Sequence, residues 1–268
     1  MISPGRDARG PWQVALKARR WLSPGTFELE LERPQGFAFH AGQRIRLIVD
    51  AGERDYSLAS GPGDSALALC IRLVSGGAVS TALAGMPVGR RLALRGPFGH
   101  FLYRATEGPV VFVAAGTGIA PFVSMTRAGV SGFTLLHGAR REGELHYAES
   151  LRRAARLYVA CLSRTGEDPP EGGGEGEAAS PAPEDGAGPH GGVTRGGTGA
   201  VRGAEEIPPG PRATEPSFQG RVTDYLAARL PPGRYDFYLC GGTEMIHRAT
   251  LLADERFPGS RVFAEAFF

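Results

Sequence analysis

The sequence runs to 268 residues, 42% hydrophobic and 22% charged, which supplies enough apolar side chain to bury a core and leaves room for one large or two ordinary domains. The longest uninterrupted apolar runs, residues 110–115 among them, are far short of the ~18 residues of a membrane-spanning helix, and residues 1–12 hold no apolar signal-peptide core, so a cytoplasmic protein without membrane association is expected. Cys70, Cys161 and Cys240 are too widely spaced for a thiolate zinc site or an iron–sulfur cluster, and the six histidines show no ligand spacing, so no metal centre is expected.

In the first 106 residues the apolar positions alternate. Phe27, Leu29 and Leu31 interleave with Glu28, Glu30 and Glu32, and the same period of two runs through Ile45, Leu47 and Val49, through Leu67, Leu69, Ile71 and Leu73, and through Leu92 and Leu94. Half-buried antiparallel strands read this way. Glycines at 25, 36, 42, 52, 61, 63, 76, 77 and 89 punctuate them at short intervals, which suits a small barrel.

From residue 107 onward the pattern changes to continuous apolar runs beginning at 110, 133, 157, 236 and 261, separated by stretches at 121–129, 145–156, 222–230 and 244–257 that suit crossover helices. Strands buried on both faces look like this, so a five-stranded parallel sheet is predicted. The expected organisation is a barrel over 1–106 followed by an α/β domain over 107–268.

Residues 166–216 interrupt that second domain. They hold 14 of the 40 glycines and 9 of the 21 prolines, with ten acidic residues against Arg195, Arg202 and Arg212, a net of −7. Such a segment lacks the large apolar side chains that offset chain entropy, and a disordered insertion is expected. Removing its −7 from the chain's +2 leaves +9 on the remainder, a charge that attracts an acidic partner. Arginine dominates the cations, Lys17 being the sole lysine, which points to a composition bias rather than to nucleic acid, and no nucleic-acid-binding motif accompanies it.

Four short motifs carry chemistry. Arg54-Asp55-Tyr56-Ser57 offers a guanidinium fork for a phosphate, a flat stacking face and a hydroxyl donor. Arg72, followed by Gly76, Gly77, Val79 and Ser80 at the start of a short helical run, forms a second candidate anion site, or simply a loop. Gly116, Thr117 and Gly118, between an apolar strand and a helix, suit close approach of backbone to a pyrophosphate, though any α/β protein can carry such a turn. Cys240, Gly241 and Gly242 end another strand and open a helix, placing a small soft side chain and bare backbone at the carboxyl edge of the sheet; a buried structural cysteine is the other reading.

In this order and on these elements, the four motifs resemble the ferredoxin–NADP reductase superfamily of flavoproteins. The likeness covers nearly everything except residues 166–216, and the stretches at 41–47 and 94–101 also fit strands of that family's flavin barrel. It implies a six-stranded antiparallel barrel holding FAD and a five-stranded parallel sheet binding NADP or NAD. Carried over by position, Arg54 binds the flavin phosphates with Arg72 and the Gly77, Val79 and Ser80 loop, Tyr56 stacks near the isoalloxazine, and Ser57 bonds near its N5. Gly116, Thr117, Gly118, Cys240 and Gly241 position the nicotinamide, Glu265 handles a proton, and Phe268 covers the flavin as a gate.

Ser163 and Arg164, after the third parallel strand, with Arg140 after the second, suit the 2′-phosphate of NADPH. The expected activity is an FAD-dependent NADPH oxidoreductase delivering electrons to an acidic ferredoxin or flavodoxin. An NADH-dependent reductase component of an oxygenase system is the alternative, followed by a non-catalytic flavin- or nucleotide-binding regulator.

Overall fold

The computed structural model describes residues 11–105, 108–164 and 213–267. Six antiparallel strands come first: β1 (Trp12–Ser23), β2 (Thr26–Glu32), β3 (Arg44–Val49), β4 (Gly52–Ser57), β5 (Ala66–Arg72) and β6 (Arg91–Phe98), with the helix α1 (Ala78–Gly85) between the last two. Their order across the sheet is β4-β3-β6-β1-β2-β5. The two edge strands then meet, Ala59 N–H donating to Ala68 O at 2.8 Å beside a Leu58–Leu69 bridge, so the sheet curls into a barrel. Alternation decides what fills it: Val14, Leu16, Phe27, Leu29, Leu31, Ile45, Leu47, Leu67, Leu69, Leu92 and Leu94 share one core.

The parallel sheet follows, with β7 (Val110–Ala115), β8 (Thr134–Ala139), β9 (Leu157–Leu162), β12 (Asp236–Gly242) and β13 (Arg261–Phe267), and two short strands, β10 (Ala213–Thr214) and β11 (Phe218–Gln219). The order is β10-β9-β8-β7-β12-β13, β11 also pairing with β9. The helices are α2 (Ala120–Arg127), α3 (Ala148–Ala154), α4 (Val222–Ala228) and α5 (Thr243–Arg256). They cover both faces. Phe112, Leu135, Tyr158 and Tyr238 pack on one side with Phe122 of α2 and Leu151 of α3, while Val111, Val113, Leu136, Val159 and Leu239 pack on the other with Leu226 of α4 and Ala249 of α5. Among the described residues no helix is long and apolar enough to cross a membrane.

Two expectations need correction. The insertion was expected to lack structure through residue 216, yet Ala213 and Thr214 pair in parallel with Leu157 and Tyr158 of β9. The edge of β9 presents unpaired backbone groups, so Ala213 N–H donates to Arg156 O at 2.9 Å whatever the local composition. The same edge takes β11, and the five-stranded sheet is therefore seven-stranded. The expectation for residues 166–212 lies outside the described residues.

The barrel and the parallel sheet are fastened by polar contacts. Ser124 Oγ donates to Ser60 O at 2.6 Å, Arg127 pairs with Asp64 at 3.2 Å, and Tyr147 Oη donates to Glu28 Oε2 at 2.8 Å. Tyr147 precedes α3 in the left-handed region, φ +60, which a non-glycine residue adopts only where its surroundings hold it there.

Candidate functional site

The carboxyl ends of β7 and β12 lie side by side, Cys240 pairing with Ala114, at the place where the strand order reverses. Ligands of open α/β sheets bind in the crevice outside such a switch point. After β7 the chain makes a tight 3-10 turn, Gly116–Ile119. Gly116 has φ +57 with open space where a Cβ would stand, whereas a Cβ on Gly118 would lie 2.2 Å from the carbonyl oxygen of Cys240. Bare backbone therefore faces the crevice at one glycine and packs against the neighbouring strand at the other. Thr117 is half-buried between them.

Cys240 pairs on its far side with Glu265 of β13, and Gly241 pairs with Ala266. Side chains in register on adjacent strands share a face, so thiol and carboxyl are neighbours. The thiol is fully buried, and burial first, then the Glu265 charge, push it well above the ordinary cysteine range, so it is a neutral packing group near pH 7. Glu265 is 8% exposed and receives the hydroxyl of Ser57 on Oε2 at 2.9 Å and the guanidinium of Arg44 on Oε1 at 3.0 Å. Burial raises its pKa, and these two hydrogen bonds pull in the opposite direction without reversing the shift.

A single row thus runs from the Gly116–Ile119 turn through Cys240 and Glu265 to Ser57 of the barrel. Three of the expected site residues, Ser57, Cys240 and Glu265, are brought together across the junction of the two sheets. Their spacing in sequence gives no hint of it.

The motif at 54–57 lies within β4, at one end of the six-stranded order. Alternation splits it. Arg54 and Tyr56 stand opposite Leu47 and Ile45 of β3, while Asp55 and Ser57 stand opposite Arg46 and Arg44 on the other face. Tyr56 is half-buried against the barrel core, and burial pushes its hydroxyl up to about 12. Arg54 is exposed, its Nη1 donating to Glu53 O at 2.8 Å.

α1 packs beside this strand, so that a Cβ on Gly52 would stand 3.5 Å from Val79 Cγ2. Its start is built for a close approach: Gly76 takes φ +73 with open space around it, and Gly77 occupies the N-cap. The Ser80 hydroxyl is committed to the turn itself, donating to Gly77 O and accepting from Val74 N–H, both at 3.2 Å. What Ser80 offers a ligand is its backbone. Arg72 is exposed at the end of β5, opposite Thr26.

At the ends of β8 and β9, Ser163 N–H donates to Ala139 O at 3.0 Å and Arg164 N–H to Arg140 O at 3.1 Å, so Arg140, Ser163 and Arg164 form one exposed cluster. Phe268 lies outside the described residues. Reading the sequence missed Arg44, Asp55 as a structural partner, and Gly99; the alternation of Arg44 and Arg46 against Ile45 and Leu47 was a visible signal for the first two.

These residues fit two dinucleotides: an open, glycine-lined helix start beside Arg54 and Tyr56 on the barrel, and a glycine turn at the switch point of the parallel sheet with basic side chains farther along the same edge. The sequence model of the family described as "Oxidoreductase FAD-binding domain" matches residues 14–103, and that described as "Oxidoreductase NAD-binding domain" matches 112–176. The chain is 38% identical over 174 residues to ferredoxin–NADP reductase B of Sorangium cellulosum (strain So ce56), covering 58% of this chain and 71% of that protein. It is 32% identical over 181 residues to the reductase component of phenol 2-monooxygenase from Pseudomonas sp. (strain CF600), covering 62% of this chain but only 50% of that relative's length. In fold it resembles a ferredoxin NADP+ reductase from Neisseria gonorrhoeae solved with bound FAD and NADP, with a TM-score of 0.67 at 18% identity over 96% of this chain and 99% of that one. The barrel, the switch-point turn and these relatives place the chain in the ferredoxin–NADP reductase superfamily, as an oxidoreductase with FAD- and nicotinamide-dinucleotide-binding parts.

Proposed function

We propose that this protein is an FAD-dependent NADPH oxidoreductase that delivers electrons to an acidic ferredoxin or flavodoxin, with residues 1–106 holding the flavin and 107–268 the nicotinamide dinucleotide. The observation that carries the reading is the row joining the glycine turn, Cys240, Glu265 and Ser57 across the two sheets. When bound, FAD would supply the redox chemistry, hydride acceptance from the reduced nicotinamide and release of single electrons.

The chain's own groups align and shield. Arg54 with the amides at the start of α1 binds the flavin pyrophosphate, and Tyr56 flanks the ring. Gly116, Thr117 and Gly118 hold the nicotinamide nucleotide against β12, where the neutral Cys240 thiol presents a small apolar contact. Ser57 and Glu265 keep a proton-exchanging carboxyl beside the reacting atoms, a group that a pure nucleotide-binding regulator does not need. Outside residues 166–216 the chain carries +9, which favours an acidic electron acceptor.

Arg54→Ala should weaken FAD retention by roughly 1.5–3 kcal/mol, the worth of charge-assisted hydrogen bonds. The flavin-to-protein ratio after gel filtration at low concentration reads this, and undiminished retention would remove Arg54 from the phosphate site.

NADPH preference is supported by Arg140, Ser163 and Arg164 at the edge of β8 and β9. In steady-state reduction of a small acceptor, kcat/KM should favour NADPH, and Arg164→Ala should lower the NADPH-to-NADH ratio by about tenfold or more. A wild-type ratio that favours NADH, with Arg164→Ala without effect, would support the second reading, an NADH-dependent reductase component of an oxygenase system. The similarity to the reductase component of phenol 2-monooxygenase is what keeps that reading in view.

A further inference from the structure

We propose that Arg44 is a positioning residue for Glu265: from the barrel it holds the carboxylate on Ser57 and beside Cys240, and it sets the pH at which that carboxylate takes up a proton. The inference rests on the reading of Glu265 as the site's proton-exchanging group.

Arg44 and Glu265 are 221 positions apart in the chain and belong to different sheets. Arg44 is fixed from both ends, its Nη1 on Glu265 Oε1 at 3.0 Å and its Nε on Asp55 Oδ2 at 3.2 Å. Asp55 is itself gripped by Arg46, whose Nε and Nη2 reach its two oxygens at 2.6 and 3.2 Å, and Arg46 also pairs with Glu53 at 3.1 Å. Charges therefore alternate along Glu265, Arg44, Asp55, Arg46 and Glu53. The order follows from β3, where Ile45 and Leu47 point into the core and Arg44 and Arg46 point away, opposite Ser57 and Asp55.

Room for the guanidinium comes from Gly99. It takes φ +95, and a Cβ there would stand 2.9 Å from Arg44 Nη1 and 3.5 Å from Glu265 Oε1. The backbone conformation favours glycine at this point, and a side chain there would push the guanidinium out of its present place.

The groups facing Glu265 are Arg44 from β3, Asp55 and Ser57 from β4, and Cys240 from β12. Of these Arg44 is the one cation. A carboxylate 8% exposed, with one hydroxyl and one guanidinium as partners, has its charge offset chiefly by that guanidinium. Removing it takes away the cation nearest Glu265 and leaves Ser57 as the remaining donor, with the Asp55 carboxylate, still held by Arg46, a like charge nearby; each of these favours the protonated acid. Lysine keeps the charge but not the two-sided fork, so it cannot hold Glu265 and Asp55 together.

The test compares wild type, Arg44→Met, Arg44→Lys and Glu265→Gln as full-length, flavin-loaded proteins. The first measurement is made without any dinucleotide: the infrared band of a protonated carboxyl that Glu265→Gln abolishes, followed against pH. Its midpoint should rise by about 1–3 pH units in Arg44→Met and by less in Arg44→Lys. The second is the pH dependence of the single-turnover rate with NADPH, whose limb belonging to Glu265 should move with the band. A folded Arg44→Met protein whose band titrates at the wild-type midpoint overturns the proposal, and an unshifted Arg44→Lys midpoint does so if Arg44→Met does not fold. A band that shifts while Glu265→Gln leaves the rate profile unchanged upholds Arg44 as the group that positions Glu265, and overturns instead the reading of Glu265 as the proton-exchanging group.

Discussion

Gly118→Ala should destabilise the protein by more than about 3 kcal/mol or prevent folding altogether. The added Cβ would stand 2.2 Å from the carbonyl oxygen of Cys240, 2.6 Å from its carbonyl carbon and 2.9 Å from Gly241 Cα. All three obstacles are backbone, in a strand paired on both sides with β7 and β13, so no side chain can swing aside to make room. Relief requires moving the Gly116–Ile119 turn off β12, which opens the crevice proposed to hold the nicotinamide nucleotide. Protein that survives should show KM for NADPH raised well over tenfold. Gly116→Ala, two positions earlier, is the control: it meets nothing within 4 Å and suffers only its left-handed φ of +57, a cost of about 1–2 kcal/mol. Urea unfolding of both variants separates them, and a Gly118→Ala protein as stable as Gly116→Ala would refute the close packing of turn on strand.

Stability should fall steeply between pH 6.5 and pH 4, and His137 should account for much of the slope. Its ring is fully buried on β8, shares a hydrogen bond between Nδ1 and Tyr158 Oη at 2.9 Å, and has no partner at Nε2 among the described residues. Burial above all, with the nearby charges of His146 and Arg152, pushes its pKa down to about 3. In the unfolded chain the same imidazole titrates near 6.5. Between those values the unfolded chain binds a proton that the folded protein refuses, so stability is fully present above pH 6.5 and is lost as pH falls, by about 1.4 kcal/mol per unit. His146, also lowered by burial, adds in the same direction. His137→Phe should flatten the curve over this range by about that slope. At pH 8 it should cost about 1–3 kcal/mol for leaving the Tyr158 hydroxyl unpaired. An unchanged slope in the variant would mean that His137 is solvated.

Much of this architecture is written locally. Period-two alternation marks β2, β3, β5 and β6, and the continuous apolar runs mark the five long parallel strands, because burial on one face or two leaves different patterns. β1 escaped notice, since a register shift between Leu16 and Ala18 breaks its alternation and Lys17, Arg19 and Arg20 populate its outer half. β10 and β11 are held by backbone hydrogen bonds to the edge of β9, which no side-chain pattern encodes.

At the site, the glycine turns were legible as motifs, but the contacts that unite them were not. Ser57 and Glu265 meet across 208 positions and Arg44 and Glu265 across 221, so their pairing depends on how two sheets dock. The Ser80 hydroxyl, expected to serve a pyrophosphate, is instead consumed in closing its own turn. Serines two or three residues into a helix commonly do this.

The most direct test of the central claim, that one chain aligns FAD and a nicotinamide dinucleotide for hydride transfer, is the visible spectrum of the purified protein before and after anaerobic addition of one equivalent of NADPH or NADH. The account predicts flavin bands corresponding to one FAD per chain, bleached by NADPH and less rapidly by NADH, and restored by an added one-electron acceptor. Protein that takes up no FAD even when it is supplied, or that holds FAD whose spectrum neither dinucleotide alters, would contradict it.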